Sequence, residues 1–272
     1  MHKIKLSRLD PEKQIAAGSI ITIVGRRNSG KSKICLHLMY LLREKFEFII
    51  AMTPTQSTAA ALREIVPSAC VYDQGLDLGV IERLMAYQAE CAVKGKRLRS
   101  TLLLMDDTSW DAKSFRTPAP ILAQLYRNGR HHAITVLHTC QDCLDCAVGL
   151  RGQVDVLMCL REVSIQQRKR LQMAFFGLLT MPEFNAVMDT ATERYGALVL
   201  LNTVPTNDPS ECLFWWRAKP ELPPFRVAND VFYKLAKGTR TLQDLQKQRR
   251  PVSGGGGGIL VEACGQSVVS TA

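Results

Sequence analysis

The sequence predicts an α/β domain, a three-layer sandwich on a mainly parallel central sheet with a small β extension toward its C-terminal end. Two observations carry that expectation. Short apolar runs alternate with amphipathic stretches along most of the chain, the pattern of strands joined by crossover helices. The runs themselves, such as SIITIV at residues 19–24 and TLLLM at residues 101–105, are hydrophobic on both sides, as strands covered by helices above and below must be.

Taken in order, residues 19–24 read as the first core strand. A helix follows from Lys31 to about Arg43, where Leu36, Leu38, Met39, Leu41 and Leu42 form a broad apolar side. Residues 46–52 (FEFIIAM) read as a strand stopped by Thr53 and Pro54. Residues 57–65 and 80–91 read as helices, and residues 101–105 as a strand that runs into Asp106 and Asp107. A short helix is expected at 120–127, its start set by Pro118 and Pro120. Strands are expected at 133–138 and 154–160, with a basic amphipathic helix at 165–175. Residues 197–201 and 212–216 read as a strand pair across the turn-rich segment Asn207-Asp208-Pro209-Ser210. The domain is expected to span residues 1–250. After it, Pro251 and Ser253 lead into five glycines, Gly254 to Gly258, so residues 251–272 read as a flexible tail.

With 272 residues and 46% hydrophobic content, the chain can bury a sizeable core. Its formal net charge of +10 points to an acidic partner, nucleic acid before an anionic membrane. No apolar stretch approaches the roughly 20 residues needed to cross a bilayer. The basic start, Met1 to Ser7, has no apolar segment behind it, so an intracellular, soluble protein is expected. The nine cysteines then read as reduced thiols rather than a disulfide framework.

The first strand runs into Gly25-Arg26-Arg27-Asn28-Ser29-Gly30-Lys31-Ser32, which meets G-x-x-x-x-G-K-[ST] at every fixed position and has a helix behind it. Such a loop points backbone N–H groups inward at phosphate oxygens. Gly25 and Gly30 supply close approach and unusual dihedrals, and the helix adds its positive end. ATP is the expected ligand, with Lys31 at the β- and γ-phosphates and Ser32 on Mg²⁺. Asp106 ends an apolar strand where open α/β sheets place their ligands, and is the second expected Mg²⁺ partner. Asp107 is then placed to orient or deprotonate the attacking water. Gln141 follows the fourth core strand and is a candidate for touching the γ-phosphate or that water. Arg127 and Arg130, before the same strand, are candidates for an arginine finger acting on a neighbouring subunit's ATP.

The combination of an apolar strand running into Asp106-Asp107, the segment Arg127-Asn128-Gly129-Arg130-His131-His132, and an apolar strand ending at Gln141 resembles the poxvirus-type genome-packaging ATPases, in the FtsK/HerA branch of P-loop motors. The likeness covers roughly residues 20–201, and residues 127–141 (RNGRHHAITVLHTCQ) narrow it. It implies a RecA-like core in which the Gln-tipped strand lies between the phosphate-loop and Asp-Asp strands. It also implies a homo-oligomeric ring, pentamer or hexamer, that drives double-stranded DNA into a viral capsid. Gln141 would be the polar sensor, Arg127 or Arg130 the finger, and Asp107 would stand where most of the branch carries a catalytic Glu, one methylene longer.

Two other readings compete. A nucleoside or nucleotide kinase shares the phosphate loop but needs an acceptor pocket and an arginine-rich lid, for which only residues 161–170 offer material. A non-catalytic DNA- or capsid-binding protein would keep the loop as a relic, against the retention of Lys31, Ser32 and Asp106. Cys140, Cys143 and Cys146 have a metal-like spacing without a fourth ligand at the ferredoxin interval. His131 and His132 read as structural. Of Trp215 and Trp216, one is expected in the core and one at the surface. Basic runs at residues 94–99, 168–170 and 247–250 are candidates for gripping DNA phosphates without reading sequence.

Overall fold

The computed structural model describes residues 4–108, 118–206 and 208–238. They belong to a compact unit spanning Met1–Thr239; a second unit, Arg240–Ala272, lies outside the described residues, and with it the expected boundary near Arg250, the glycine run and the basic run at 247–250.

Among the described residues nine strands form one sheet: β1 Ser7–Arg8, β2 Ile20–Val24, β3 Phe48–Met52, β4 Val71–Tyr72, β5 Thr101–Asp106, β6 Ile134–Cys140, β7 Val156–Cys159, β8 Gly196–Leu201 and β9 Leu213–Arg217. Their order across the sheet is β1-β9-β8-β7-β2-β6-β5-β3-β4. From β7 to β4 every pairing is parallel. β8 and β9 continue the same sheet in antiparallel fashion, and β1 closes the edge. β6 lies between β2 and β5, the position the family resemblance implies.

Alternation along each strand sorts the core into two layers. Ile20, Val24, Leu103, Met105, Leu157 and Cys159 face one side, under helices Leu78–Val93, Pro120–Asn128, Ile165–Phe175 and Met181–Ala191. Ile21, Ile23, Leu102, Leu104, Val156 and Met158 face the other, under helices Lys31–Leu42 and Gln56–Ile65. Every residue of β2, β5 and β6 is buried, which is why those runs carry no polar face. The three-layer α/β reading therefore stands.

The local differences have local causes. β4 and β1 are two-residue edge strands, too short for a sequence pattern. The strand expected from residue 46 starts at Phe48, because the Phe46 N–H closes a turn onto the Arg43 carbonyl. Cys212, expected in a strand, instead ends the short helix Pro209–Cys212. Helix Met181–Ala191 was not anticipated, although Thr180 and Glu183 form a capping box at its start. Trp216 is buried and Trp215 half-buried with Arg8 over its ring, as expected for that pair. Cys140, Cys143 and Cys146 all pack into the first apolar layer, where burial pushes each thiol up.

Candidate active site

The parallel strands β2, β6 and β5 deliver three segments to one edge of the sheet. β2 runs into the phosphate loop, β6 into Gln141, and β5 into Asp106 and Asp107. Together they form one wall of a cavity of about 1110 Å³, lined among others by Arg26, Arg27, Asn28, Gly30, Lys31, Ser32, Asp106, Asp107 and Gln141.

The two glycines of the loop act differently from each other. Gly30 is left-handed, with φ 102°, and sits at the N-terminus of helix Lys31–Leu42. Gly25 is needed for room instead: a Cβ there would lie 2.7 Å from both the Leu160 side chain and the Ser29 hydroxyl. The second left-handed position of the loop is Asn28, φ 61°, a residue type that tolerates it. Gly25 is tied to the sheet by its N–H, which donates to the Cys140 carbonyl at 3.1 Å. Ser29 closes the turn by donating its N–H and hydroxyl to the Arg26 carbonyl.

Lys31 is buried, and its Nζ donates to the carbonyls of Gly25 at 2.6 Å and Arg26 at 3.3 Å. The same ammonium lies 3.7 Å from Asp107 Oδ1. That oxygen is buried and accepts no hydrogen bond from the protein. Asp107 itself sits in the left-handed region, φ 47°, a strained placement of the kind that gathers at functional sites. Gln141 Nε2 donates to Asp107 Oδ2 at 3.4 Å, so the two residues expected to handle water are in contact.

Asp106 is held between Thr139 of β6 and Thr53, the residue after β3. Thr139 Oγ1, opposite it in register, donates to Oδ1 at 2.8 Å, and Thr53 Oγ1 lies 3.5 Å from Oδ2. Burial raises the Asp106 carboxyl above the usual range, partly offset by the Thr139 hydroxyl. Thr139 Oγ1 also accepts the Asp107 N–H at 3.0 Å, so one hydroxyl fixes both acids. Neither threonine was singled out from sequence, since the register that pairs Thr139 with Asp106 exists only in the sheet. A Thr139→Val variant, which keeps shape and loses both bonds, is expected to bind magnesium–nucleotide about tenfold more weakly, while Thr139→Ser stays near the native value; calorimetric titration checks it.

The residues present suit a magnesium ion, which characteristically binds one or two carboxylates beside substrate phosphates. The Asp106 carboxylate is already oriented by Thr139, and the exposed Ser32 lines the same cavity.

Arg127 and Arg130 are elsewhere. Both are exposed and precede β6, at the amino-terminal end of the parallel strands, opposite the end that carries the phosphate loop. The seven residues of β6 span roughly 20 Å, so neither arginine joins its own chain's phosphate site. Other cationic residues do line the cavity: Arg194 in the turn before β8, and Arg217 and Lys219 at the end of β9. Sequence reading missed them, because only the antiparallel return of β8 and β9 beside β7 brings them near.

No family model matches the chain. Protein 088R of Invertebrate iridescent virus 3 is 31% identical over 212 residues, covering 77% of this chain and 78% of the relative. Protein 015R of Frog virus 3 (isolate Goorha) is 24% identical over 243 residues, 86% of this chain and 74% of that one. Among solved structures, the genome packaging NTPase B204 from Sulfolobus turreted icosahedral virus 2, in complex with ATP-gammaS, superposes with a TM-score of 0.54 at 16% identity. It covers 76% of this chain and 100% of its own. ATPases 2 and 3 of Thermomonospora curvata EccC, in complex with a signal sequence peptide, give 0.51 at 15% identity over 84% of this chain and 43% of theirs. At these identities the structural likeness establishes the fold alone, the mostly parallel α/β sheet of RecA-like type that these neighbours share with the chain.

Proposed function

The chain belongs to the family of protein 088R of Invertebrate iridescent virus 3, and on that premise we propose that it is an ATP-hydrolysing double-stranded-DNA translocase that packages a viral genome into a capsid. The observation that carries the proposal is the convergence of Lys31, Asp106, Asp107 and Gln141 at the ends of three adjacent parallel strands. The genome packaging NTPase B204 has the same fold over its whole length, which supports the packaging assignment.

In this reading the loop residues Gly25 to Ser32 cradle the phosphates, and Lys31 leaves its carbonyl partners for the β- and γ-oxygens. Ser32 and Asp106 would hold Mg²⁺, which would supply charge neutralisation to the phosphates. Asp107 takes the proton of the attacking water and Gln141 orients it. Asp107 is well placed for this, because Thr139 and Gln141 fix its backbone and one oxygen, while the other accepts no hydrogen bond and faces the Lys31 ammonium.

The opposite-end placement of Arg127 and Arg130 supports a finger supplied to a neighbouring subunit, and hence a homo-oligomeric ring, pentamer or hexamer. Capsid protein and duplex DNA are the partners this assigns. The kinase alternative loses its best support, since Arg168 of the candidate lid is engaged by Asp189, Asn185 and the Glu162 carbonyl. Two candidate DNA-gripping cations are likewise engaged: Lys94 by Glu90 and Arg97 by Glu47.

ATP turnover measured with and without duplex DNA, over a range of protein concentration, tests the proposal. Stimulation by DNA and a rise in specific activity with concentration are expected. Turnover indifferent to both would sink the translocase reading, and product formation only when a nucleoside is supplied would favour the kinase.

A further inference from the structure

The proposed chemistry uses only one half of the cavity. The other half is lined by Arg194, Tyr195, Arg217, Ala218, Lys219 and Pro220, none of which has a role in it. These residues come from the turn before β8 and the segment after β9. In the sheet, β8 and β9 lie on the side of β2 away from β6 and β5. A triphosphate whose terminal group meets Asp107 and Gln141 and follows the loop therefore points its nucleoside toward this second half.

The turn is built under strain. Arg194 and Tyr195 are consecutive left-handed residues, with φ 49° and 64°, a conformation costly for a large aromatic side chain. Gly196 closes the turn against the preceding helix: a Cβ there would lie 2.2 Å from the Ala191 carbonyl oxygen. The result is a tyrosine 73% exposed, its ring beside the phosphate loop, 3.7 Å from where a Gly30 Cβ would sit. The facing segment is fixed as well. The Lys219 N–H donates to His37 Nδ1 at 3.0 Å and Lys33 Nζ to the Pro220 carbonyl at 3.2 Å, both from the helix that starts at the loop. Arg217 joins the two walls by donating to the Glu193 carbonyl at 2.8 Å. A preformed slot with an aromatic side suits a planar, apolar-faced ligand.

We propose that the Tyr195 ring is the stacking face for the nucleotide's purine base, and that the slot between it and residues 218–220 is the nucleoside subsite. The inference rests on the nucleotide-binding reading of the phosphate loop. It explains why an exposed aromatic is held in strained backbone where core packing does not require one: stacking is paid in ligand affinity.

Calorimetric titration of the full chain with magnesium–ATP and with magnesium–tripolyphosphate separates base from phosphate. The wild type is expected to bind ATP more tightly than tripolyphosphate. Tyr195→Ala is expected to weaken ATP about tenfold while tripolyphosphate affinity holds, and Tyr195→Phe to keep the ATP affinity. Native ATP affinity in Tyr195→Ala would overturn the proposal, as would an equal loss for both ligands or a Tyr195→Phe that behaves like alanine. A wild-type chain that bound neither ligand would overturn the nucleotide reading itself, and this inference with it.

Discussion

Replacing Lys31 with alanine is expected to lower ATP turnover by on the order of 10²–10³, measured as phosphate release at saturating magnesium–ATP. The ammonium is buried at the phosphate loop, where a charge acts through a low local dielectric. The substitution also leaves the Gly25 carbonyl without its Nζ donor, so folding must be checked by circular dichroism alongside the rate. A folded Lys31→Ala protein that still supported packaging would return the relic reading, in which the loop no longer performs chemistry.

Asp106→Asn is expected to have two effects of opposite sign. Turnover falls by on the order of 10²–10³, because an amide is a poor magnesium ligand. The unliganded protein becomes more stable at neutral pH. Burial holds the folded carboxyl above its unfolded value, so the ionised form is disfavoured in the fold. That penalty is present at pH values above the raised folded pKa and disappears below the unfolded one. Melting temperatures of wild type and variant should therefore differ most near neutrality and converge as the pH falls through the carboxylate range. A variant less stable than wild type at neutral pH would show that the Thr139 and Thr53 contacts outweigh desolvation.

Much of this was legible because the signals are local. A parallel strand covered on both faces must be apolar throughout, so residues 20–24 and 101–105 identify themselves. The phosphate loop is one contiguous segment whose spacing the chemistry dictates. Asp107 and Gln141 were readable as residues just past strand ends, though they meet only in the sheet. What escaped depends on neighbours distant in sequence. Thr139 is an ordinary strand residue until register sets it opposite Asp106. Tyr195 reads as a loop aromatic until β8 returns beside β7 and brings it to Gly30. Gly25 was expected to supply close approach and an unusual dihedral, and Leu160 with the Ser29 hydroxyl makes it a matter of space. Thr180 and Glu183 are a local signal that was overlooked, and helix Met181–Ala191 with it.

The hydrogen-bonded run of β7, β2, β6, β5 and β3, packed tightly on both faces, also has a mechanical meaning. Such a plate is stiff: its interior has little room to compress and its strands have no freedom to slide against one another. Load applied at one edge is carried to the other without being absorbed. On the translocase reading proposed above, a stroke generated at Gly30, Asp107 or Gln141 would then have to be carried by the connections around the sheet, with the plate as the chassis against which they push.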